Sequence, residues 1–304
     1  MWSYSAHKQF KRCQRQWFYK NVMAKGQAKK DPLRVEATRL SKLKTIAAWR
    51  GLIVDQVITV SVIPQLKMKR VPTLEQVLSA AQNVFNKWYE QATTPLQPGQ
   101  QVEVGLLEIE TNGFVSPETL SIAWNDIERA LTNFMQDDVL IRELLSADYL
   151  IEQRHLFFKA GQSTTRGTPD LIAFWHNQPP VIYDWKVHFF GTTSHERQLL
   201  VYALALVRGK PHVDFEQYLT GSKLEDTRLT EVQLITQSTG YKRTYSVTAT
   251  KLEATESFIS DSILSMYLAG ATRTYAQSSA NDYDTAADPE ACSTCAFHKL
   301  CKQH

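Results

Sequence analysis

The 304-residue sequence predicts an α/β fold. Two textures carry that expectation. Apolar residues recur at helical spacing through most of residues 1–146. From Ala147 the chain turns to short runs rich in Ile, Val, Tyr and Phe, bounded by Gly, Pro and Asn, with helical patterns between them. That alternation is expected when helices flank a sheet.

The elements follow in order. Phe10, Cys13, Trp17 and Val22 fall near helical spacing and predict a helix over 3–22. Residues 24–34 read as a loop. Leu40, Leu43, Ile46, Ala47, Val54 and Val57 predict a second helical stretch over 36–60. Thr73 with Gln76 forms a capping-box pattern that opens a helix reaching about Gln91. TTPLQPGQQ (93–101) is turn or loop. Ser116 with Pro117 is an N-cap and first-turn proline, starting a helix that runs to about Met135. DYLIEQRHLFFKA (148–160), TPDLIAFW (168–175) and PVIYDWKV (180–187) read as strands. A helix over Gln198–Arg208 comes next, then strand candidates at 212–221, 228–236 and 241–248. A helix over Lys251–Ala269 follows. Residues 276–290 are polar and read as a flexible tether. Four segments result: basic N-terminal helices (1–60), a helical insertion (61–146), a mixed α/β core (147–270), and a tether with a cysteine-bearing tail (271–304).

Composition narrows the class. Hydrophobic residues make up 43% and charged residues 21%, an ordinary globular balance that excludes wholesale disorder. The longest uncharged apolar run is Leu199–Val207, well short of the ~20 residues a membrane span needs. The first residues, MWSYSAHKQFKRCQRQ, lack the apolar stretch of a secretory signal. The expectation is a soluble cytoplasmic protein with no membrane partner.

The formal net charge of +3 conceals a polarity. Residues 1–50 hold thirteen Lys and Arg against Asp31 and Glu36, a net +11 that leaves −8 for the rest. Trp2, Tyr4, Phe10, Trp17, Phe18 and Tyr19 are interleaved with these cations. Cations with aromatic platforms suit a nucleic-acid backbone and its unstacked bases. The competing reading is a solvated helix face whose aromatics lie in the core.

The chemistry concentrates in GTPDLIAFWHNQPPVIYDWKVHFF. Pro169-Asp170 lies on one expected strand and Asp184-Trp185-Lys186 on the next. Alternation puts Asp184 and Lys186 on one face and Trp185 on the other. Asp170 and Asp184 are 14 positions apart, with Asn177–Pro180 midway, as in a hairpin that brings the carboxylates together. Paired carboxylates suit a hard divalent ion such as Mg²⁺, which can activate a water and stabilise charge on a phosphoryl group. A neighbouring lysine can position or deprotonate that water. A D-x-K triplet is also common as a surface ion pair. This lysine, however, follows an apolar run, where an unpartnered ammonium is costly. Gln198 and Tyr202, four apart, share a helical face.

Taken in order, Pro169-Asp170, Asp184-x-Lys186 and Gln198-x₃-Tyr202 resemble the PD-(D/E)XK nucleases, specifically the RecB-like branch. The resemblance implies a restriction-endonuclease-like core, a mixed central sheet flanked by helices. It implies Asp170, Asp184 and the backbone carbonyl of Trp185 as ligands of Mg²⁺ or Mn²⁺, with Lys186 placing the attacking water. Gln198 would hold the site or the scissile phosphate, and Tyr202 would face the DNA. Glu152 falls where this branch often has a glutamate. Relatives often carry G-x-x-V-H upstream; here Gly51-Leu52-Ile53-Val54-Asp55 puts aspartate in the histidine slot. Asp55 can serve as a further metal ligand, or mark weakened activity. His188 and His195 read as solvent or supporting residues, and Arg197 as a possible phosphate contact.

Four cysteines complete the pattern: Cys13, then Cys292-x₂-Cys295-x₅-Cys301. Nothing points to an oxidising compartment, so a metal site is the better reading. Cys₄ suits zinc or an iron–sulfur cluster, and His298 keeps a Cys₃His zinc site open. One N-terminal cysteine within SYSAHKQFKRCQRQWFYK, followed by three near the C-terminus, resembles the iron–sulfur nucleases, including the CRISPR-associated exonucleases and AddB-type nucleases. That resemblance implies a structural [4Fe–4S] cluster on Cys13, Cys292, Cys295 and Cys301, joining chain ends separated by 278 residues. It also implies a nuclease acting on single-stranded DNA or DNA ends, in repair, recombination, defence or phage DNA processing. Such a protein often works with a partner in a larger complex. The alternative is a DNA-binding module on the same fold that no longer cuts, with a zinc or iron–sulfur staple.

Overall fold

The computed structural model describes residues 1–25, 31–94, 104–176, 178–187, 195–209, 213–215, 218, 226–235 and 241–302. Two compact units emerge, each assembled from distant stretches of sequence. The first comprises Arg50–Phe85 and Pro117–Ser260, with Met1; the second comprises Trp2–Trp49, Asn86–Ser116 and Asp261–His304.

The helices are α1 (Tyr4–Arg12), α2 (Gln14–Phe18), α3 (Pro32–Leu40), α4 (Ile46–Val57), α5 (Ile63–Lys67), α6 (Leu74–Thr93), α7 (Leu107–Asn112), α8 (Pro117–Gln136), α9 (Asp138–Ser146), α10 (Glu196–Arg208), α11 (Ala249–Leu268), α12 (Glu290–Ser293) and α13 (His298–Lys302). The strands are β1 (Leu43–Lys44), β2 (Gly105–Leu106), β3 (Tyr149–Glu152), β4 (Leu156–Ala160), β5 (Ser163–Gly167), β6 (Leu171–Trp175), β7 (Gln178–Lys186), β8 (Arg228–Gln233) and β9 (Lys242–Ser246).

The first unit is built on a five-stranded mixed sheet of order β3-β6-β7-β8-β9. β6 and β7 form the expected antiparallel hairpin, with Leu171 opposite Tyr183. β7 and β8 run parallel, and this register sets Asp184 beside Glu231 and Lys186 beside Gln233. The apolar runs have a physical reason: β6 is buried along its whole length, as a strand covered on both faces must be. The hairpin β4–β5 stands apart from the sheet. α10 packs on it so closely that a Cβ on Gly167 would lie 3.1 Å from Ala205 and 3.2 Å from the Tyr202 ring. Only glycine admits that approach without displacement.

α4 continues through a π-turn, Ile58–Val62, into α5. This 46–67 helix is long and apolar enough to cross a membrane, a property the scan for uninterrupted apolar runs missed because Arg50 and Asp55 break the run. Ile53, Val54, Val57, Ile58, Val62, Ile63 and Leu66 are fully buried, as in the core helix of a folded unit. Arg50 is tied to Asp126 of α8 and donates to the carbonyl of Val187 at 2.8 Å. One member of the basic segment is therefore a structural clamp on the end of β7.

The second unit corrects several expectations. The 3–22 helix breaks at Cys13, which is extended (φ −164°) and caps α2 by accepting from the Gln16 N–H at 3.3 Å. Residues 41–45 interrupt the expected 36–60 helix, where β1 pairs in parallel with β2. Five of the six N-terminal aromatics are core rather than stacking platforms, and Tyr4 is half-buried. Trp2, Phe10, Trp17, Phe18 and Tyr19 are buried. Phe18 stacks on Tyr283 at 4.8 Å and Tyr19 on Phe297 at 5.5 Å. The segment expected as a tether over 276–290 is mostly exposed yet has regular local structure. It holds 3₁₀ turns at Tyr275–Gln277 and Ala280–Asp282, buries Tyr283, and receives hydrogen bonds from Arg15 at the carbonyls of Tyr283 and Asp284. Its Ser, Thr and Asp residues serve as caps, which polar composition alone cannot distinguish from a linker.

Of the strand expected at 212–221, Val213–Phe215 form a turn and the rest lies outside the described residues, save Tyr218. The 148–160 run is two strands, because Gln153 takes a left-handed backbone (φ 48°) between them.

Candidate active site and cysteine cluster

The active-site candidates gather at the ends of β6 and β7 and at the start of α10, all within the first unit. Asp170 lies in the bend leading into β6 rather than on the strand itself. Its Oδ2 accepts from the Trp185 backbone N–H at 2.9 Å. Asp184, 1% exposed, is ion-paired through Oδ2 to Lys186, as side-chain alternation along β7 predicts. Its Oδ1 accepts from the Gln198 amide at 3.1 Å. The same amide nitrogen lies 2.6 Å from the Tyr202 hydroxyl. Gln198 thus lies between Asp184 and Tyr202. Tyr202 lies near the carboxylates, against the Gln198 amide. Burial and the nearby charges of Asp184 and Asp170 push its hydroxyl well above its usual range.

Asp55 enters from α4. Its Oδ1 accepts from the Trp185 indole N–H at 3.1 Å and from the Gln153 amide at 2.9 Å. Trp185 does point away from Lys186, and it packs edge-on against Phe134 at 5.7 Å. Its indole N–H nevertheless fixes Asp55 while its backbone N–H fixes Asp170. Gln153 bridges these two carboxylates, reaching Asp170 Oδ1 at 3.4 Å. Glu152, where the RecB-like branch often has a glutamate, pairs with Lys67 Nζ at 2.5 Å instead. The one-residue difference arises because the left-handed backbone at Gln153 interrupts alternation.

A second residue escaped the sequence. Glu231, fully buried on β8, accepts from Gln233 at 2.6 Å and Tyr245 at 3.0 Å, and pairs with His195 Nδ1 at 3.2 Å. A glutamate inside the otherwise buried run of 229–235 was the available signal. His195 thus has a partner in Glu231. His188 lies outside the described residues. Arg197 is stacked over the Phe258 ring at 4.6 Å.

Burial raises the carboxyl of Asp170 well above the usual range, and the neighbouring Asp184 and Asp55 add to it. Asp55 is raised first by its own burial, and the Asp184 charge adds to that. Lys186 moves the opposite way to an isolated buried lysine: burial would lower it, but Asp184, Asp170 and Glu231 outweigh that and raise it. Glu231 is held down to about 2, because hydrogen bonds from His195, Gln233 and Tyr245 outweigh the burial that would raise it. Its charged form therefore stabilises the fold above pH ~4.5, and that contribution fades as the pH falls toward 2. Glu231→Gln should cost about 3 kcal/mol at pH 7. Urea unfolding of both proteins should show the gap shrinking below pH ~4.5; an undiminished gap would refute the assignment.

Three carboxylates around one ammonium leave the site short of positive charge. An all-oxygen donor set of this kind suits a hard divalent cation. Among the described residues, no three His, Cys, Asp or Glu side chains converge tightly enough to hold an ion as they stand. Gln153 bridges Asp55 and Asp170, and Lys186 pairs with Asp184.

The cysteines lie in the second unit. Cys13 and the three C-terminal cysteines are free, half-buried thiols. They line one cavity of about 30 Å³ with Tyr19, Phe297 and His298. Burial pushes the Cys295 thiol up to about 11, with Cys13, Cys301 and Cys292 adding to it. Four thiols lining one small cavity make a donor set that suits a soft metal centre.

The sequence profile of the PD-(D/E)XK nuclease superfamily matches residues 1–302. No curated protein matches the chain.

Proposed function

This chain belongs to the PD-(D/E)XK nuclease superfamily, and on that premise we propose that it is a divalent-metal-dependent DNA exonuclease carrying a structural metal centre. Superfamily members are phosphodiesterases that typically use divalent metals such as Mg²⁺. The reading rests on one observation: Asp170, Asp184 and Lys186 meet at the β6–β7 hairpin with Gln198 fixing Asp184.

Asp170, Asp184 and the Trp185 carbonyl would hold Mg²⁺ or Mn²⁺, with Asp55 as a further oxygen donor. When bound, the ion supplies Lewis acidity toward water and the phosphoryl oxygens. Lys186 is kept as an ammonium by its acidic neighbours, so it acts as a donor. It orients the attacking water and offsets charge on the phosphate rather than removing a proton. Water adds to phosphorus, the bond to the departing sugar oxygen breaks, and a phosphomonoester and an alcohol result. Gln198 fixes the Asp184 carboxylate, and Tyr202 is the second group against that amide. Cys13, Cys292, Cys295 and Cys301 would carry a [4Fe–4S] cluster, with zinc as the alternative occupant. Single-stranded DNA or DNA ends are the proposed substrate, in repair, recombination or defence.

A second reading, a DNA-binding module with weakened cutting, is favoured by Asp55. Its carboxylate is already engaged by Trp185 and Gln153. Anaerobically purified protein, given 5′- or 3′-labelled single- and double-stranded DNA with Mg²⁺, Mn²⁺ or EDTA, separates the two. Metal-dependent shortening from an end is the expected result. Cutting of circular single strands would replace exonuclease by endonuclease. DNA binding without cutting in either metal would favour the module.

A further inference from the structure

Lys186 holds a carboxylate that a bound divalent ion would need. Its ammonium is ion-paired to Oδ2 of Asp184, one of the proposed metal ligands. An oxygen given to a metal has less to give to an ammonium, and a cation bound beside Lys186 repels it. The lysine side chain is 13% exposed, so water offers little in exchange. An ammonium that leaves Asp184 needs another acceptor within reach of its own stem.

The neighbouring strand β8 carries one. In the parallel register Lys186 is opposite Gln233 and Asp184 opposite Glu231, so the four side chains rise from one face of the sheet. Gln233 is 3% exposed and Glu231 is fully buried. Glu231 is held at both oxygens. Its Oε1 accepts from the Gln233 amide at 2.6 Å and pairs with His195 Nδ1 at 3.2 Å, and its Oε2 accepts from the Tyr245 hydroxyl at 3.0 Å. The amide nitrogen of Gln233 is thus engaged, while its carbonyl is not. Among the described residues, Gln233 Oε1 is a buried acceptor without a hydrogen-bond donor. Folded proteins rarely leave such an atom unpaired, because its lost hydration is not repaid. Glu231 already acts on Lys186 from this side, favouring its ammonium form.

We propose that the Gln233 carbonyl, backed by the Glu231 carboxylate, is a second seat for the Lys186 ammonium, taken when a divalent ion occupies Asp184. The inference rests on the nuclease reading, which puts the ion there. Gln233 and Glu231 are positioning residues that act through Lys186. A move from Asp184 to Gln233 keeps the lysine charged and on the same face of the sheet. It then serves as a donor beside the ion instead of competing for its ligand.

The test is Mn²⁺ binding without DNA, read from the EPR signal of free Mn²⁺. It is run as a cycle of wild type, Gln233→Met, Lys186→Met and the double variant. Methionine keeps the volume of glutamine and removes its amide. Gln233→Met should bind Mn²⁺ about tenfold more weakly than wild type, the usual size for loss of a group supporting a metal site. Lys186→Met has no ammonium to rehouse, so adding Gln233→Met to it should change Mn²⁺ affinity less than about twofold. A glutamine that merely braced Glu231 or the sheet would cost the same in both backgrounds. In cleavage at saturating Mn²⁺, Gln233→Met should lower kcat by about tenfold and move KM for DNA less than about twofold. Urea unfolding in EDTA checks that each variant folds. If Gln233→Met does not, Gln233→Asn, which draws the amide back by one methylene, should give the same pattern. Equal losses in the two lysine backgrounds, or unchanged Mn²⁺ affinity in the Gln233 variants, would overturn the second seat and leave the nuclease reading intact. Wild type that neither binds Mn²⁺ nor cuts DNA would overturn both.

Discussion

Lys186→Met should lower metal-dependent DNA cleavage by about 10³-fold while leaving DNA affinity in EDTA within about threefold. The size follows from position. The ammonium is 13% exposed and paired with a carboxylate that is 2% exposed, so water cannot substitute for its charge. Its loss removes the one cation that the described residues place among Asp55, Asp170 and Asp184. A second effect follows from the same geometry. Without divalent metal the variant leaves Asp184 buried and unpaired, and should be less stable by about 3 kcal/mol. Mg²⁺ or Mn²⁺ should restore more of the melting temperature in the variant than in wild type, because the ion replaces the missing charge. Lys186→Arg should not restore cleavage, since a planar guanidinium cannot take the place of a compact ammonium. Cleavage by Lys186→Met near the wild-type rate would remove this residue from the mechanism.

The largest stability effect should come from the thiols. Cys292→Ser and Cys13→Ser are each expected to abolish cooperative folding of the second unit. Structural metal binding contributes on the order of 10 kcal/mol, comparable to the whole stability of an ordinary domain. Limited proteolysis should then digest residues of the second unit rapidly while fragments of the first persist. Iron and sulfide analysis with visible absorbance identifies the occupant. Stoichiometric zinc without colour would assign the zinc alternative. Wild type that holds neither iron nor zinc as purified and still melts cooperatively would discard the staple altogether.

Much of the site was legible in the sequence because local rules govern it. Alternation along a strand placed Asp184 and Lys186 together, a polar turn between two apolar runs gave the hairpin, and helical spacing set Gln198 beside Tyr202. The missed residues depend on non-local facts. Glu231 matters because a parallel neighbour brings it level with Asp184, and strand order cannot be read from one chain. Gln153 matters because one left-handed residue shifts the alternation. The aromatics of residues 1–20 were ambiguous for a related reason. A helical stripe of Trp, Phe and Tyr is equally compatible with stacked bases and with a core, until Tyr283 and Phe297 arrive from the far end of the sequence to cover it.

The interleaving of the two units bears on how the protein is made. The first unit draws on residues 50–85 and 117–260, so its parts are complete once Ser260 has left the ribosome. The second awaits residues 261–304, which supply Tyr283, Phe297 and three of the four thiols. Synthesis therefore imposes an order, with the carboxylate-bearing unit able to close first and its companion last. During that interval Trp17, Phe18 and Tyr19 lack the rings of Tyr283 and Phe297, and a nascent chain would be more exposed to aggregation or chaperone capture. A stop anywhere between Ser260 and Cys292 would leave the first unit complete and the second without a closing segment. No single truncation separates the two, so dissecting them calls for point changes rather than shortened chains.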